Sequence, residues 1–180
     1  IKTINSPPAE NGKILLVSQP VAKYYGTSLG FDEGDFAKTC VEALENLPEL
    51  NRVLLTRHVE ENSLEHSSNW KPIFNSEIGR GVEDLRDSQV VLGMFSTLLV
   101  VAYLCGRKVA SVQPHPIDPD LCPLSRWGLV PRLTTKEEIN GFLSDKRKST
   151  PEKMLTDSIA GSTDRLESYC LNLLARTNRS

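Results

Sequence analysis

Short runs of apolar residues alternate with longer amphipathic stretches along this chain. The runs lie at residues 14–17, 53–56, 90–92 and 109–112. Each run is nearly continuous rather than alternating with polar residues, which is typical of strands that are buried on both faces of a parallel sheet. A further short strand is predicted within residues 127–132.

The stretches between and after these runs predict three amphipathic helices, over residues 33–47, 135–143 and 162–176. In the first, Phe36, Cys40 and Leu44 recur every four residues and so share one face. The second begins at a capping-box pattern, with Thr135 at the cap and Glu138 three residues later. Buried strands that alternate with such helices predict an α/β fold, a Rossmann-like open and mostly parallel sheet flanked by helices.

The most informative segment is residues 88–114, which read as strand, tight turn, helix and parallel strand within 27 residues. This is a minimal βαβ unit. Its turn places Ser96 and Thr97 at the start of the helix, where backbone N–H groups and the positive end of the helix dipole can hold a phosphate. A serine at this position is also an ordinary N-cap. The sequence leaves both interpretations open.

The loops that follow the strands are the predicted place for any chemistry, because open parallel sheets bind ligands beyond the carboxyl ends of their strands. These loops cover residues 18–30, 56–62, 93–97 and 113–118. Arg57 and His58 follow the second run directly, and Gly93 ends the third.

Composition describes one globular domain. The chain has 180 residues and a mass of 20.0 kDa, and we expect a linker over residues 1–12 and a single domain over 13–180. A net charge of −2 argues against a nucleic-acid-binding surface. The longest apolar run, residues 98–105, is too short to span a bilayer, and no signal peptide is recognisable.

The four cysteines predict a reducing, cytoplasmic compartment, because they form no CxxC pair. They also lack the spacing with histidine that a metal site would have, so no metal site is predicted. No cofactor is predicted either. The two tryptophans, Trp70 and Trp127, are predicted to be packing anchors in preference to the alternative, platforms on which a sugar stacks.

Three motifs carry a resemblance to a known family. The GMFST segment at residues 93–97, followed by LLVVA and GRKV, resembles the nucleotide-sugar-binding, C-terminal half of GT-B glycosyltransferases and sugar-nucleotide 2-epimerases. Residues 56–61, TRHVEE, resemble the strand-end motif of polysaccharide-biosynthesis members, and residues 161–166, GSTDRL, resemble the entry to their last helix. The similarity covers roughly residues 11–175.

The resemblance implies a role for each matching residue. Ser96 and Thr97 would donate hydrogen bonds to the diphosphate of a nucleotide sugar, and Gly93 would allow close approach of the backbone. Arg57 would add a positive charge beside the diphosphate. His58 would be the catalytic residue, as a hydrogen-bond donor or proton shuttle.

The resemblance also implies the activity and the partners. The chain would be the donor-binding domain of a glycosyltransferase of polysaccharide or glycoconjugate synthesis. It would need an N-terminal GT-B-like domain, in the same chain or another, and the first residue, Ile1 rather than Met, is interpreted as the start of a fragment. An epimerase fragment is less favoured, since no acid/base carboxylates are recognisable.

Two positions depart from the family pattern. Val101 stands where the family commonly has a carboxylate that holds the ribose hydroxyls, and Val59 replaces the proline expected after His58. A valine cannot accept a hydrogen bond. Val101 therefore favours the alternative function, a non-catalytic interaction or regulatory domain with a degenerate nucleotide site.

Overall fold

In the computed structural model, which describes residues 12–45, 53–58, 81, 83–116 and 119–145, five strands form one parallel sheet. The strands are β1 (Lys13–Val17), β2 (Val53–Thr56), β3 (Ser88–Gly93), β4 (Lys108–Val112) and β5 (Arg132–Leu133). Their order in the sheet is β2-β1-β3-β4-β5. The predicted Rossmann-like parallel sheet is confirmed.

Strand β1 lies between β2 and β3 in the sheet. Leu15 and Leu16 are fully buried, which explains why the run is apolar at successive positions. In the register, Val17 pairs with Thr56 on one side and with Gly93 on the other. The three strands therefore end at the same level, and the loops that follow them start side by side.

Six helices accompany the strands in the described residues: α1 (Val21–Tyr25), α2 (Glu33–Leu44), α3 (Asp84–Asp87), α4 (Thr97–Leu104), α5 (Pro123–Arg126) and α6 (Lys136–Ser144). Asp32 is the N-cap of helix α2, and its side chain accepts hydrogen bonds from the backbone N–H groups of Gly34 and Asp35. It buries Phe36 and Cys40, and this burial raises the pKa of the Cys40 thiol. The predicted capping box of α6, formed by Thr135 and Glu138, is confirmed.

Helix α4 packs against β3 and β4 and completes the βαβ unit that the sequence predicts. Leu99, Ala102 and Tyr103 are its buried residues. At its far end Gly106 adopts a positive φ of 69°, a conformation that glycine takes without a steric penalty. The chain turns there and enters β4.

Several local predictions differ from the structure. The loop predicted after β1 contains helix α1, and α5 was not predicted. The last strand is confined to Arg132 and Leu133, because the backbone N–H groups of Trp127 and Gly128 still bond to α5 and Gly128 turns the chain with a positive φ of 71°. Trp127 is 65% exposed, so its prediction as a packing anchor is wrong.

All described residues belong to the first of two compact units, Ile1–Ser149; the second is Thr150–Ser180. The predicted helix at 162–176, the GSTDRL motif, Trp70 and residues 1–11 of the predicted linker lie outside the described residues.

Candidate functional site

A pocket of about 400 Å³ opens at the carboxyl end of the sheet. It is lined by residues from the loops after β1, β2 and β3: Gln19, Pro20, Val21, Tyr24, Tyr25, His58 and Phe95. The strand order changes direction between β1 and β3, and doubly wound sheets bind their ligands at that point. The volume lies in the range of about 300–1,000 Å³ that small-molecule sites occupy. Three of the four loops that the sequence singles out therefore meet at one pocket.

A hydrogen bond between Gln19 and Phe95 joins two walls of the pocket. The backbone N–H of Phe95 donates to Oε1 of Gln19 at 2.9 Å. Beside it, the rings of Tyr25 and Phe95 meet edge to face, with centroids 5.8 Å apart and planes at 87°. Such a pair is a favourable aromatic geometry. The two rings form a corner of the pocket.

Helix α1 holds the tyrosines at the rim. Its first residue, Val21, is buried, and the backbone N–H of Ala22 donates to Oε2 of Glu33 at 2.9 Å, which ties α1 to the start of α2. Gly26, with a positive φ of 56°, follows the last residue of the helix. Tyr24 is 60% exposed, so an apolar ring surface faces solvent at the pocket mouth.

Helix α4 begins next to the pocket, directly after Phe95. Ser96 is its N-cap, with Oγ accepting a hydrogen bond of 3.2 Å from the backbone N–H of Leu98. The N-cap interpretation of Ser96 is confirmed, and Thr97, the first helical residue, is exposed. Their interaction with a phosphate stays a prediction.

The other predicted site residues divide into two groups. His58 is exposed and lines the pocket. Arg57, half-buried at the end of β2, and Gly93, buried at the end of β3, are not among the described lining residues. A Cβ atom on Gly93 would lie 3.1 Å from atoms of Val17 and Leu99, so the packing of β3 against β1 and α4 accounts for this glycine.

The aromatic side chains that line the pocket were not predicted from the sequence. Tyr24, Tyr25 and Phe95 fall within loops that were correctly placed at the carboxyl ends of strands, but their ring contacts depend on how those loops fold. The doublet of tyrosines just before Gly26 is the signal that could have indicated them, since two large rings in a short loop seldom both find burial.

A polar network fixes the neighbouring loop, after β4. Nε2 of Gln113 donates to Ser111 Oγ at 2.8 Å and to Asp120 Oδ1 at 2.6 Å, and Ser125 Oγ donates to Asp120 Oδ2 at 2.6 Å. Ser111 Oγ in turn donates to the backbone oxygen of Met94, in the loop after β3. The network therefore connects the β3 and β4 ends of the sheet.

Asp120 is the charged member of this network. Burial by itself would raise the pKa of its carboxyl group, but the hydrogen bonds from Ser125, Gln113 and the backbone N–H of Cys122, with the nearby charge of Arg132, outweigh burial. The pKa of Asp120 therefore lies below its usual value.

Ser18 lies at the end of β1. Its backbone N–H donates to the carbonyl oxygen of Thr56 at 2.9 Å, and its side chain is only 4% exposed. Within the described part of the chain, Ser18 Oγ has no hydrogen-bond partner. Thr56 next to it is satisfied, because its hydroxyl donates to Asp84 Oδ2 at 2.7 Å.

The described residues contain neither a metal-binding cluster nor a membrane-spanning helix. No group of three or more His, Cys, Asp or Glu side chains is placed to hold a metal ion. Among the same residues, no helix has the length and apolar character needed to cross a membrane.

Comparison with known proteins shows similarity in structure but not in sequence. No protein-family model matches the chain, and no curated protein matches it. Among solved structures, the glycotransferase of kitacinnamycin matches with a TM-score of 0.47 and 16% identity, over 78% of this chain and 37% of that protein. Spinosyn forosaminyltransferase SpnP matches with a TM-score of 0.50 and 13% identity, over 94% of this chain and 46% of that protein.

The chain spans less than half the length of either of these proteins. At such low identity the likeness concerns the fold alone, and it agrees with the five-stranded parallel sheet and its flanking helices. The chain has a glycosyltransferase-like fold, an α/β arrangement of the kind that forms one half of a GT-B enzyme.

Proposed function

We propose that this chain is the donor-binding half of a cytoplasmic glycosyltransferase of polysaccharide or glycoconjugate synthesis. It binds a nucleotide diphosphate sugar at the carboxyl edge of the sheet. The observation that carries the proposal is the pocket where the loops after β1, β2 and β3 meet, with the start of α4 directly beside it. A second GT-B-like domain, N-terminal in the same chain or in another, completes the active site, and residues 13–180 form the donor-binding domain.

The start of α4 is proposed to bind the diphosphate. Thr97 is exposed at the first helical position and follows a pocket residue by two positions. A helix N-terminus contributes about 0.3–2 kcal/mol toward an anion, so several contacts are needed for a site. Ser96 and Thr97 supply neutral donors, and Arg57 at the end of β2 supplies a charge-assisted bond.

His58 is proposed as the catalytic group. It is exposed, and it faces the pocket from the strand adjacent to β1. Transfer of the sugar leaves negative charge on the departing diphosphate, and hydrogen-bond donors fixed at that position stabilise the transition state. A proton from the His58 imidazole would contribute there, while Gly93 keeps the strand end closely packed beneath.

A second candidate function rests on Val101. This residue is half-buried in α4 and offers no acceptor for a ribose hydroxyl. A domain that keeps the fold but has lost nucleotide binding would act as a non-catalytic interaction or regulatory domain. The two functions differ in one measurable property, the binding of nucleotides.

Thermal unfolding of the chain in the presence of UDP, GDP, CDP or CMP distinguishes the donor-binding domain from the interaction domain. A ligand at one hundred times its Kd stabilises the folded state by about 2.7 kcal/mol, or roughly 5–10 °C in Tm for a domain of this size. We expect such a rise with one of the nucleotides, and its loss in Thr97→Ala. His115→Ala is the control, because His115 is an exposed histidine that does not line the pocket.

His58→Ala distinguishes catalysis from binding. In the complete two-domain protein we expect it to lower the rate of transfer more than it weakens nucleotide binding. An unchanged Tm at millimolar concentrations of all four nucleotides would reject the donor-binding proposal and support the interaction domain.

A further inference from the structure

The carboxamide of Gln19 has a fixed orientation. Its oxygen must face Phe95, because the backbone N–H of Phe95 is a donor and only Oε1 can accept from it at 2.9 Å. The amide nitrogen, Nε2, is therefore fixed on the other side of the same planar group. Within the residues that the structure describes, this nitrogen has no acceptor. Gln19 thus brings a pre-positioned N–H donor group to the lining of the pocket.

The rest of the described lining is His58 and five largely apolar residues. The described lining contains no lysine, arginine, aspartate or glutamate, and five of its seven residues are aromatic, proline or valine. A diphosphate would find no lysine or arginine among these lining residues with which to form a charge-assisted hydrogen bond. A flat, uncharged ring fits better, because it can stack on one face of the corner formed by Tyr25 and Phe95.

We infer that Gln19 is the specificity-determining residue of this pocket and that it reads a ring carbonyl of a uracil or thymine base. This inference rests on the proposed nucleotide-binding function. A pyrimidine-2,4-dione carries carbonyl oxygens on both sides of its N3–H, so it presents an acceptor to the Gln19 amide in either stacking orientation. Cytosine and guanine carry one carbonyl each. Adenine carries none: its acceptors are the ring nitrogens N1, N3 and N7, and its exocyclic amino group would place a donor against the Gln19 donor where uracil has O4.

Gln19→Glu tests the assignment with little change in shape. The carboxylate still offers an oxygen to the Phe95 N–H, so the bond between the two loops is kept, while the Nε2 donor becomes an acceptor. Uridine and adenosine are the probes, because nucleosides carry no phosphate that the new charge would repel. The measurement is the Kd of each nucleoside by calorimetry, for the folded wild type and variant.

We expect the wild type to bind uridine more tightly than adenosine. In Gln19→Glu, the affinity for uridine should fall by about tenfold or more, the factor that corresponds to loss of one good hydrogen bond, while adenosine binding falls less or improves. Gln89→Glu is the control for added charge, since Gln89 lies at the opposite end of β3 and outside the pocket. Gln19→Met, which removes donor and acceptor together, gives the same comparison if the glutamate variant does not fold.

The outcomes separate the two proposals. If the wild type binds neither nucleosides nor nucleoside diphosphates at millimolar concentration, the donor-binding function itself is rejected, and the assignment of Gln19 with it. If the wild type binds nucleotides but the ratio of uridine to adenosine affinity is the same in wild type and Gln19→Glu, only the assignment of Gln19 is overturned.

Discussion

Val17 and Gly93 are paired across β1 and β3, and a side chain on Gly93 would crowd both the backbone and the side chain of Val17. A Cβ atom on Gly93 would lie 3.1 Å from both Cβ and the carbonyl oxygen of Val17, and 3.1 Å from Cδ2 of Leu99 in α4. The loops that follow these two strands, together with the loop after β2, line the pocket.

Gly93→Ala should therefore destabilise the fold. The added methyl group forces β1, β3 and α4 apart, and overpacking of a tight core typically costs about 1–3 kcal/mol. The free energy of unfolding in urea measures the effect. Gly141→Ala is the matched control, because a Cβ there meets nothing within 4 Å in helix α6, and we expect stabilisation of up to about 1 kcal/mol. Equal stabilities of the two variants would contradict the packing explanation of Gly93.

Two buried serines should respond in opposite ways to the same substitution. Ser111 Oγ donates to Met94 and accepts from Gln113, so Ser111→Ala leaves a buried carbonyl oxygen and an amide donor short of a partner. We expect a loss of about 1–3 kcal/mol. Ser18 Oγ has no partner among the described residues, so Ser18→Ala should be neutral or stabilising by up to about 1 kcal/mol. Chemical denaturation of both variants measures their free energies of unfolding. A larger loss of stability in Ser18→Ala than in Ser111→Ala would show that the Ser18 hydroxyl has a hydrogen-bond partner.

Lys108 should stabilise the end of α6. Its ammonium group donates to the backbone oxygens of Phe142 and Asp145, at the terminus where a helix leaves carbonyl groups without partners. Lys108→Met keeps the apolar stem beside the Phe142 ring, which the ammonium group overlies at 4.5 Å. We expect a loss of about 1.5–3 kcal/mol and faster amide exchange in the last turn of α6.

Lys136→Met is the control for Lys108→Met. Lys136 also carries a positive charge on α6, but it is about half exposed and its 3.9 Å ion pair with Glu42 is at the surface. Its replacement should change stability by less than about 1 kcal/mol. A comparable loss in both variants would indicate a general effect of charge rather than capping by Lys108.

The stability of the protein should fall in acid partly through Asp120. Its pKa is lower in the folded state than the value of about 4 expected in the unfolded chain, so the unfolded state binds more protons between the two values. The stabilisation of the folded state by ionised Asp120 is complete above pH 4 and is lost as the pH falls through the folded-state pKa. Asp120→Asn should lower Tm at pH 7 by roughly 2–4 °C, for a loss of about 1 kcal/mol.

The difference in Tm between wild type and Asp120→Asn should then narrow as the pH is lowered below 4, in thermal scans at constant ionic strength. The Tm of Asp120→Asn should still fall as the pH is lowered, because Glu138 contributes in the same way. The backbone N–H of Thr134 helps to hold the pKa of Glu138 below its usual value. Parallel curves for wild type and Asp120→Asn would contradict the assignment.

Much of the architecture could be predicted because it is encoded locally. Strands β1 to β4 coincide with continuous apolar runs, since a strand buried on both faces has no polar side to reveal. The capping box of α6 and the cap at Ser96 need only residues two or three positions apart. Such short-range hydrogen bonds form wherever the local sequence allows them.

The site depended on contacts that no local pattern encodes. Gln19 and Phe95 are separated by 76 positions and meet only because β1 and β3 are neighbours in the sheet. The sequence placed both in loops at strand ends but gave no sign of the bond between them. Trp127 failed as a packing anchor for a related reason, because a large apolar ring is buried only if some other element covers it.

By itself, the sequence determined the class of fold, the strands of the sheet and the edge at which its loops gather, because hydrophobic periodicity and capping are properties of neighbouring residues. The tertiary structure decided which loops meet and which residues contact one another there. It gave Gly93 a role in packing, left Ser18 and Ser111 with opposite surroundings, and placed Gln19, bonded to the backbone of Phe95, in the lining of a pocket with three aromatic rings. These outcomes follow from close packing between distant segments, in which the same residue type gains or lacks a partner according to its neighbours in space.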